Sequence, residues 1–158
     1  MLTVRIICIG RLKESYLREA QAEYVKRLGA FCKIEICELP EYRLPDNPSA
    51  SQIEKGLIEE GQKILEKASG ALIPMCIEGN PLSSPALSEK IEQLALSGES
   101  IISFIIGGSF GLSSEVKSRG TLRLSMSPMT FPHHLARVMV LEQIYRALNI
   151  AAGGKYHK

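Results

Sequence analysis

The stretch "IISFIIGGSFG", residues 101–111, sets six uncharged, mostly β-branched or aromatic residues directly before three glycines in five positions. An apolar run this short, stopped by glycine, reads as a strand buried on both faces. Strands of that kind belong to parallel sheets, and open parallel sheets bind ligands just beyond the carboxyl ends of their strands. The glycines stand where backbone can approach a ligand closely or take positive φ. By itself such a turn is more often tight geometry than a binding loop. It lacks the Lys and Ser/Thr of a phosphate loop, and it is not a G-x-G-x-x-G with an acid ~20 residues on. Rossmann-type folds carry their glycine turn after the first strand, which here reads "CIGRLKE", residues 8–14.

Outward from this stretch, strand and helix patterns alternate. "LTVRIICIG" (2–10) is a buried strand, and "SYLREAQAEYVKRLG" (15–29) is an amphipathic helix with Leu17, Ala20, Tyr24 and Leu28 on one face. "CKIEICEL" (32–39) is a second strand, followed by a surface loop with Pro40, Pro45 and Pro48. Ser51 and Glu54 fit a capping box for a helix carrying Ile53, Leu57, Ile64 and Leu65. "ALIPMCI" (71–77) is a strand that Pro74 should confine to an edge or a bulge. Ser84 and Pro85 fit the N-cap and first position of a helix reaching about Ser97. Beyond the glycine turn come a short helical stretch at 113–118, a last strand "TLRLSMS" (121–127) and the long helix "HLARVMVLEQIYRALNIAA" (134–152). Its apolar side carries Leu135, Val138, Met139, Leu141, Tyr145 and Leu148. The alternation predicts one α/β domain over residues 1–158, a mostly parallel sheet with helices on both faces.

Apolar residues make up 45% of the chain and charged residues 23%, which excludes wholesale disorder. Cys8, Cys32, Cys37 and Cys76 show no metal-ribbon or redox spacing and read as reduced, mostly buried thiols. The first apolar run contains Arg5 and is too short for a bilayer span or a secretion signal, so no membrane partner and a cytoplasmic location are expected. From Lys117 onward seven Lys/Arg face one acid, a net +6, whereas the preceding residues hold twelve basic against sixteen acidic groups, a net −4. That split suits either a polyanion-facing surface or chance clustering on a solvated face, and it does not separate nucleic acid from a phosphorylated small molecule.

Three segments directly follow strands and are the places to look for chemistry: 75–81, 107–111 and 126–131. His133 and His134 have no carboxylate at ligand spacing and read as capping or solvent-facing, so no metal is expected. Asp46 is the only aspartate, and no Ser-His-Asp or Cys-His set is visible. The terminal "AAGGKYHK" reads by composition as a frayed end, although Lys155, Tyr156, His157 and Lys158 also suit a clamp on a phosphate backbone.

"GGSFGL", "LSMSPMTFPHHLARVMVLEQIYRA" and the terminal "YHK" together resemble the RlmH family of SPOUT methyltransferases, and the likeness runs along the whole chain. The resemblance implies methylation of N3 of a pseudouridine in 23S ribosomal RNA, in the large subunit or the 70S ribosome. It also implies a C-terminal trefoil knot, a homodimer, and S-adenosylmethionine held in the knot. The methyl-donor site then comprises Met75, Gly107, Met126, Ser127, Pro128, Met129, Thr130 and Phe131. Pro128 and Pro132 would stiffen this last loop, so that its backbone meets the adenine edge at little entropic cost while Met and Phe side chains form walls. His157 is the candidate proton acceptor, with Lys158 or Arg137 as electrostatic partners of the anionic base. Phe110 and Pro74 depart from the family pattern and bear on pocket shape. A non-catalytic RNA- or ribosome-binding factor is the alternative; it explains the charge split but leaves the stiff loop idle. A small-molecule phosphate-binding enzyme is a third, and its binding would be insensitive to salt.

Overall fold

The computed structural model describes residues 1–158. It contains β1 (Thr3–Ile9), α1 (Ser15–Leu28), β2 (Lys33–Leu39), α2 (Ala50–Lys67), β3 (Ala71–Pro81), α3 (Ser84–Leu96), β4 (Ile101–Ile106), α4 (Ser114–Ser118), β5 (Leu124–Ser125) and α5 (His133–Ala151). The five strands form one sheet in the order β2-β1-β4-β3-β5, and every pairing is parallel. The expected α/β architecture is present, with the sheet parallel throughout.

The period-2 alternation of the strands divides the core between two faces. Val4, Ile6 and Cys8 of β1 and Ile102, Phe104 and Ile106 of β4 pack with Leu28 of α1, Ile91 of α3 and Leu141 and Ile144 of α5. Ile7, Ile9 and Ile105 face the other way, onto Ile64 of α2 and Val116 of α4. Burial on this scale contributes ~25 cal/mol per Å² of apolar surface removed from water, and the central strands hold most of it. Arg5, the charge inside the first apolar run, lies on the α2 side. It donates to the Lys67 carbonyl at the end of that helix and pairs with Glu35 at 2.8 Å. Ser103 is fully buried and closes its hydroxyl onto the Ser69 carbonyl at 2.8 Å.

Both helix caps sit upstream of the predicted positions. The capping box of α2 is Ser49 with Gln52, and α3 is capped by Ser83, whose hydroxyl accepts from the Ala86 amide. Closely spaced serines made either register possible. The predicted strand 121–127 shrinks to two residues, because the segment meets β3 with a register shift between Met75 and Asn80. Pro74 lies just before that irregular place. It is buried inside β3, opposite Ile105, with its ring toward Gly120, where a Cβ would come within 2.7 Å of the Pro74 Cδ. The missing amide of Pro74 therefore faces a turn that needs glycine; β3 is an interior strand and its irregularity begins one residue later, at Met75, so Pro74 is neither on an edge strand nor in the bulge.

All four cysteines are free. Burial pushes the Cys8 thiol up to about 12 and Cys32 up to about 11, so both remain protonated and inert. No helix is long and apolar enough to cross a membrane.

Candidate functional site

A cavity of about 700 Å³ opens beside the middle of β3 and beyond the carboxyl ends of β4 and β5. Its walls are 75–78, 106–112, Lys117, Leu124, much of the loop 126–133, and Ala136. The three segments singled out in the sequence thus converge on one space, although 75–81 lies within β3, which runs on to Pro81, and only 107–111 and 126–131 follow strands.

The glycine turn is shaped by close approach. Gly107 is buried, and a Cβ there would collide with the Gly111 carbonyl; Gly111 itself has φ +84° and donates its amide to the Gly108 carbonyl at 3.1 Å. The turn folds back on itself as a short antiparallel bridge between Gly108 and Gly111, leaving Phe110 half exposed at the rim. The 126–131 loop is held differently. The Ser125 hydroxyl donates to the Ser127 carbonyl at 3.3 Å, and the Ser127 hydroxyl accepts from the Met129 amide at 3.0 Å. Met126 and Phe131 separate this cavity from a smaller one of about 320 Å³ against Leu87, Met139 and Ile144, while Met129 stands 72% exposed above the mouth.

Of the residues expected to hold the donor, Met75, Gly107, Met126, Ser127, Met129, Thr130 and Phe131 line the cavity, and Pro128 does not. The other three stand elsewhere. Arg137 is 1% exposed beneath the first turns of α5; it pairs with Glu38 at 2.6 Å and donates to the Gly10 carbonyl at 3.0 Å. It braces α5 against the ends of β1 and β2, and its Nε has no partner. His157 and Lys158 are exposed at the far end of α5, with His157 Nδ1 3.2 Å from the Arg146 guanidinium. The tail is docked rather than frayed. The Tyr156 hydroxyl donates to Glu142 at 2.8 Å, its amide donates to the Asn149 side chain at 3.2 Å, and its ring lies edge-on to Tyr145 at 4.8 Å. The hydrogen bond to Glu142 pushes the Tyr156 phenol up to about 12.

Three lining residues escaped the sequence reading. His133, taken as a capping or solvent group, is half-buried in the wall with the His134 ring 4.2 Å away. Burial, then the His134 charge, holds it below the ordinary histidine value, so the ring favours its neutral form. Glu78 and Lys117 form an ion pair at 2.5 Å across the cavity wall. Glu78 lay within an inspected segment, but nothing local links the end of β3 to a lysine on α4. The hydrogen bond from Lys117 holds the Glu78 carboxyl below the usual range. No group of three or more His, Cys, Asp or Glu side chains is placed to hold a metal ion.

A family model described as "Predicted SPOUT methyltransferase" matches residues 2–157. A relative from Streptococcus thermophilus named Ribosomal RNA large subunit methyltransferase H is 46% identical over 159 residues, covering 99% of this chain and 100% of its own. A protein of the same name from Leuconostoc mesenteroides is 43% identical, with the same coverage. Among solved structures, the tRNA (m1G37) methyltransferase from Aquifex aeolicus superposes with a TM-score of 0.53 at 14% identity, over 91% of this chain and 69% of that one, a likeness of fold alone.

Proposed function

The chain belongs to the SPOUT methyltransferase family, and from that premise we propose that it methylates N3 of a pseudouridine in 23S ribosomal RNA, drawing the methyl group from S-adenosylmethionine. The observation that carries this is the convergence of one stretch of β3 and two post-strand segments on one cavity, in a chain whose full-length relatives bear a ribosomal RNA methyltransferase name. The residues present fit the donor. About 700 Å³ is within the ~300–1,000 Å³ of small-molecule sites. The side-chain-free turn at Gly107 admits close backbone approach, and Met75, Met126 and Phe131 supply apolar wall. S-adenosylmethionine supplies an electrophilic methyl on a sulfonium; the methyl–sulfur bond breaks as the N3–carbon bond forms, and the N3 proton must leave.

Positioning provides much of the rate, because the chain's part is to hold two reactants in line. Met126, Ser127, Met129, Thr130 and Phe131 hold the donor, and Pro128 stiffens the loop from outside the cavity. His157 accepts the N3 proton and Lys158 stabilises the anionic base. Both stand at the far end of α5 within one chain, so this assignment goes with a homodimer in which the tail of one subunit closes over the cavity of the other. Arg137 acts through position, by fixing the start of α5 beside the cavity. The trefoil knot and a single domain spanning 1–158 belong to the same proposal. The substrate places the protein in the cytoplasm with the large subunit or the 70S ribosome.

A methylation assay tests this. Ribosomes incubated with the protein and methyl-labelled donor gain label in 23S RNA, ribosomes lacking the target pseudouridine gain none, and a chain truncated before Lys155 is inactive on both. Equal labelling with and without the pseudouridine, or none on either, contradicts the proposal. If donor binding is absent altogether, the non-catalytic RNA-binding alternative takes its place.

A further inference from the structure

Only two of the side chains lining the cavity carry full charge, and they are opposite in sign: Glu78 at the end of β3 and Lys117 on α4. Their Oε1 and Nζ atoms are 2.5 Å apart, and neither makes another ion pair. The remaining lining side chains are apolar, hydroxyl, thiol or imidazole. Glu78 is 53% exposed and Lys117 28%. A pair so open to water contributes little to stability, because solvent screens its attraction, so exchanging its partners costs little. The geometry differs from that of Arg137 and Glu38, where the guanidinium is 1% exposed and loss of its carboxylate partner leaves that charge buried and unpaired.

A ligand that carries an ammonium and a carboxylate on one carbon presents the same two charges in reverse. Inserted between Glu78 and Lys117, it would convert one salt bridge into two. Resting on the donor site proposed above, we infer that Glu78 and Lys117 are the specificity residues for the amino-acid end of the donor, Glu78 accepting from the α-ammonium and Lys117 donating to the α-carboxylate. The glycine turn and the 126–131 loop then serve the nucleoside end. The charge pair selects an aminocarboxyl nucleoside over the same nucleoside without that end.

Calorimetric titration with S-adenosylhomocysteine and with 5′-methylthioadenosine, which lacks the aminocarboxyl end, tests this on the full chain. The wild type is expected to bind S-adenosylhomocysteine ~10-fold or more tightly than methylthioadenosine, as charge-assisted hydrogen bonds to both ends require. Lys117→Met and, separately, Glu78→Gln should remove most of that preference while leaving methylthioadenosine affinity unchanged. The charge-swapped double variant, Glu78→Lys with Lys117→Glu, restores an internal ion pair of reversed polarity and should not restore the preference. Parallel loss of both ligands, no change in either, or rescue by the swap would show the pair to be a latch between β3 and α4, overturning the inference while leaving the donor site intact. A wild type that binds neither ligand removes the donor site itself, and the inference with it.

Discussion

The β1–β4 pair and the β3–β5 pair are both parallel, yet they are built on different terms. β1 and β4 run in unbroken register from Thr3 opposite Ile101 to Cys8 opposite Ile106, with nearly every side chain buried. β5 offers β3 only two residues, and the register slips between Met75 and Asn80, just past the buried Pro74. Backbone amides and carbonyls need partners wherever they are buried, and a regular ladder consumes them all. The irregular pair borders the cavity, which Met75 to Glu78 of β3 and Leu124 of β5 help to line. In this molecule the regular half holds most of the buried core, and the broken ladder borders the cavity proposed to bind the donor.

Substitutions separate the two halves. The largest effect is expected at Arg137, which ties the regular half to the helix that walls the site. Glu38→Gln leaves the buried Arg137 guanidinium without its carboxylate and should cost ~3–5 kcal/mol in denaturant unfolding. Ile6→Ala opens the centre of the larger core cluster and should cost ~2–5 kcal/mol, with donor affinity of the folded protein unchanged. A matching loss of affinity would mean that the halves are not separable. Gly107→Ala belongs to the other half: it should cost only ~1–3 kcal/mol of stability as the turn opens, yet weaken donor binding ~10-fold or more by calorimetry.

The smallest effect concerns the docked tail. Burial pushes the Glu142 carboxyl up, but hydrogen bonds from Arg146, Tyr156 and Gln143 outweigh it, leaving the group below its ordinary value of 4.5. A depressed folded-state value means the contribution is complete above the unfolded-state value and is lost as pH falls through the folded one. Acidification below pH 4.5 should therefore release Tyr156 before the core unfolds, seen as loss of the ring-current shifts between Tyr145 and Tyr156 in NMR spectra. Glu142→Gln should release it at neutral pH. Tyr156 resonances that hold until global unfolding would refute the coupling.

The regular half was legible because period and composition determine it. Short apolar runs such as "IISFII" and the heptad-like spacing of α5 leave few options, and every helix and strand has a counterpart in the sequence pattern. Caps slipped where serines crowd, at Ser49 and Ser51 and at Ser83 and Ser84. The site was legible as segments rather than as contacts. Gly107 and the 126–131 loop announced themselves by following strands and Met75 by its place in the third strand pattern, whereas Lys117 reaches Glu78 only through a fold that sets α4 beside β3. Arg137 looked available for catalysis because the sequence does not reveal that Glu38 and Gly10 lie beneath it. The tail looked free because the docking residues Glu142, Tyr145 and Asn149 lie on another element whose facing is a tertiary fact.

The central claim, that the donor sits where the β3–β5 ladder breaks, is tested most directly by backbone amide NMR with S-adenosylhomocysteine titrated into the labelled protein. Shifts should concentrate at 75–78, 107–112 and 126–133 and leave residues 3–8 of β1 still. Shifts confined to the docked tail and α1, or none at millimolar ligand, would contradict it.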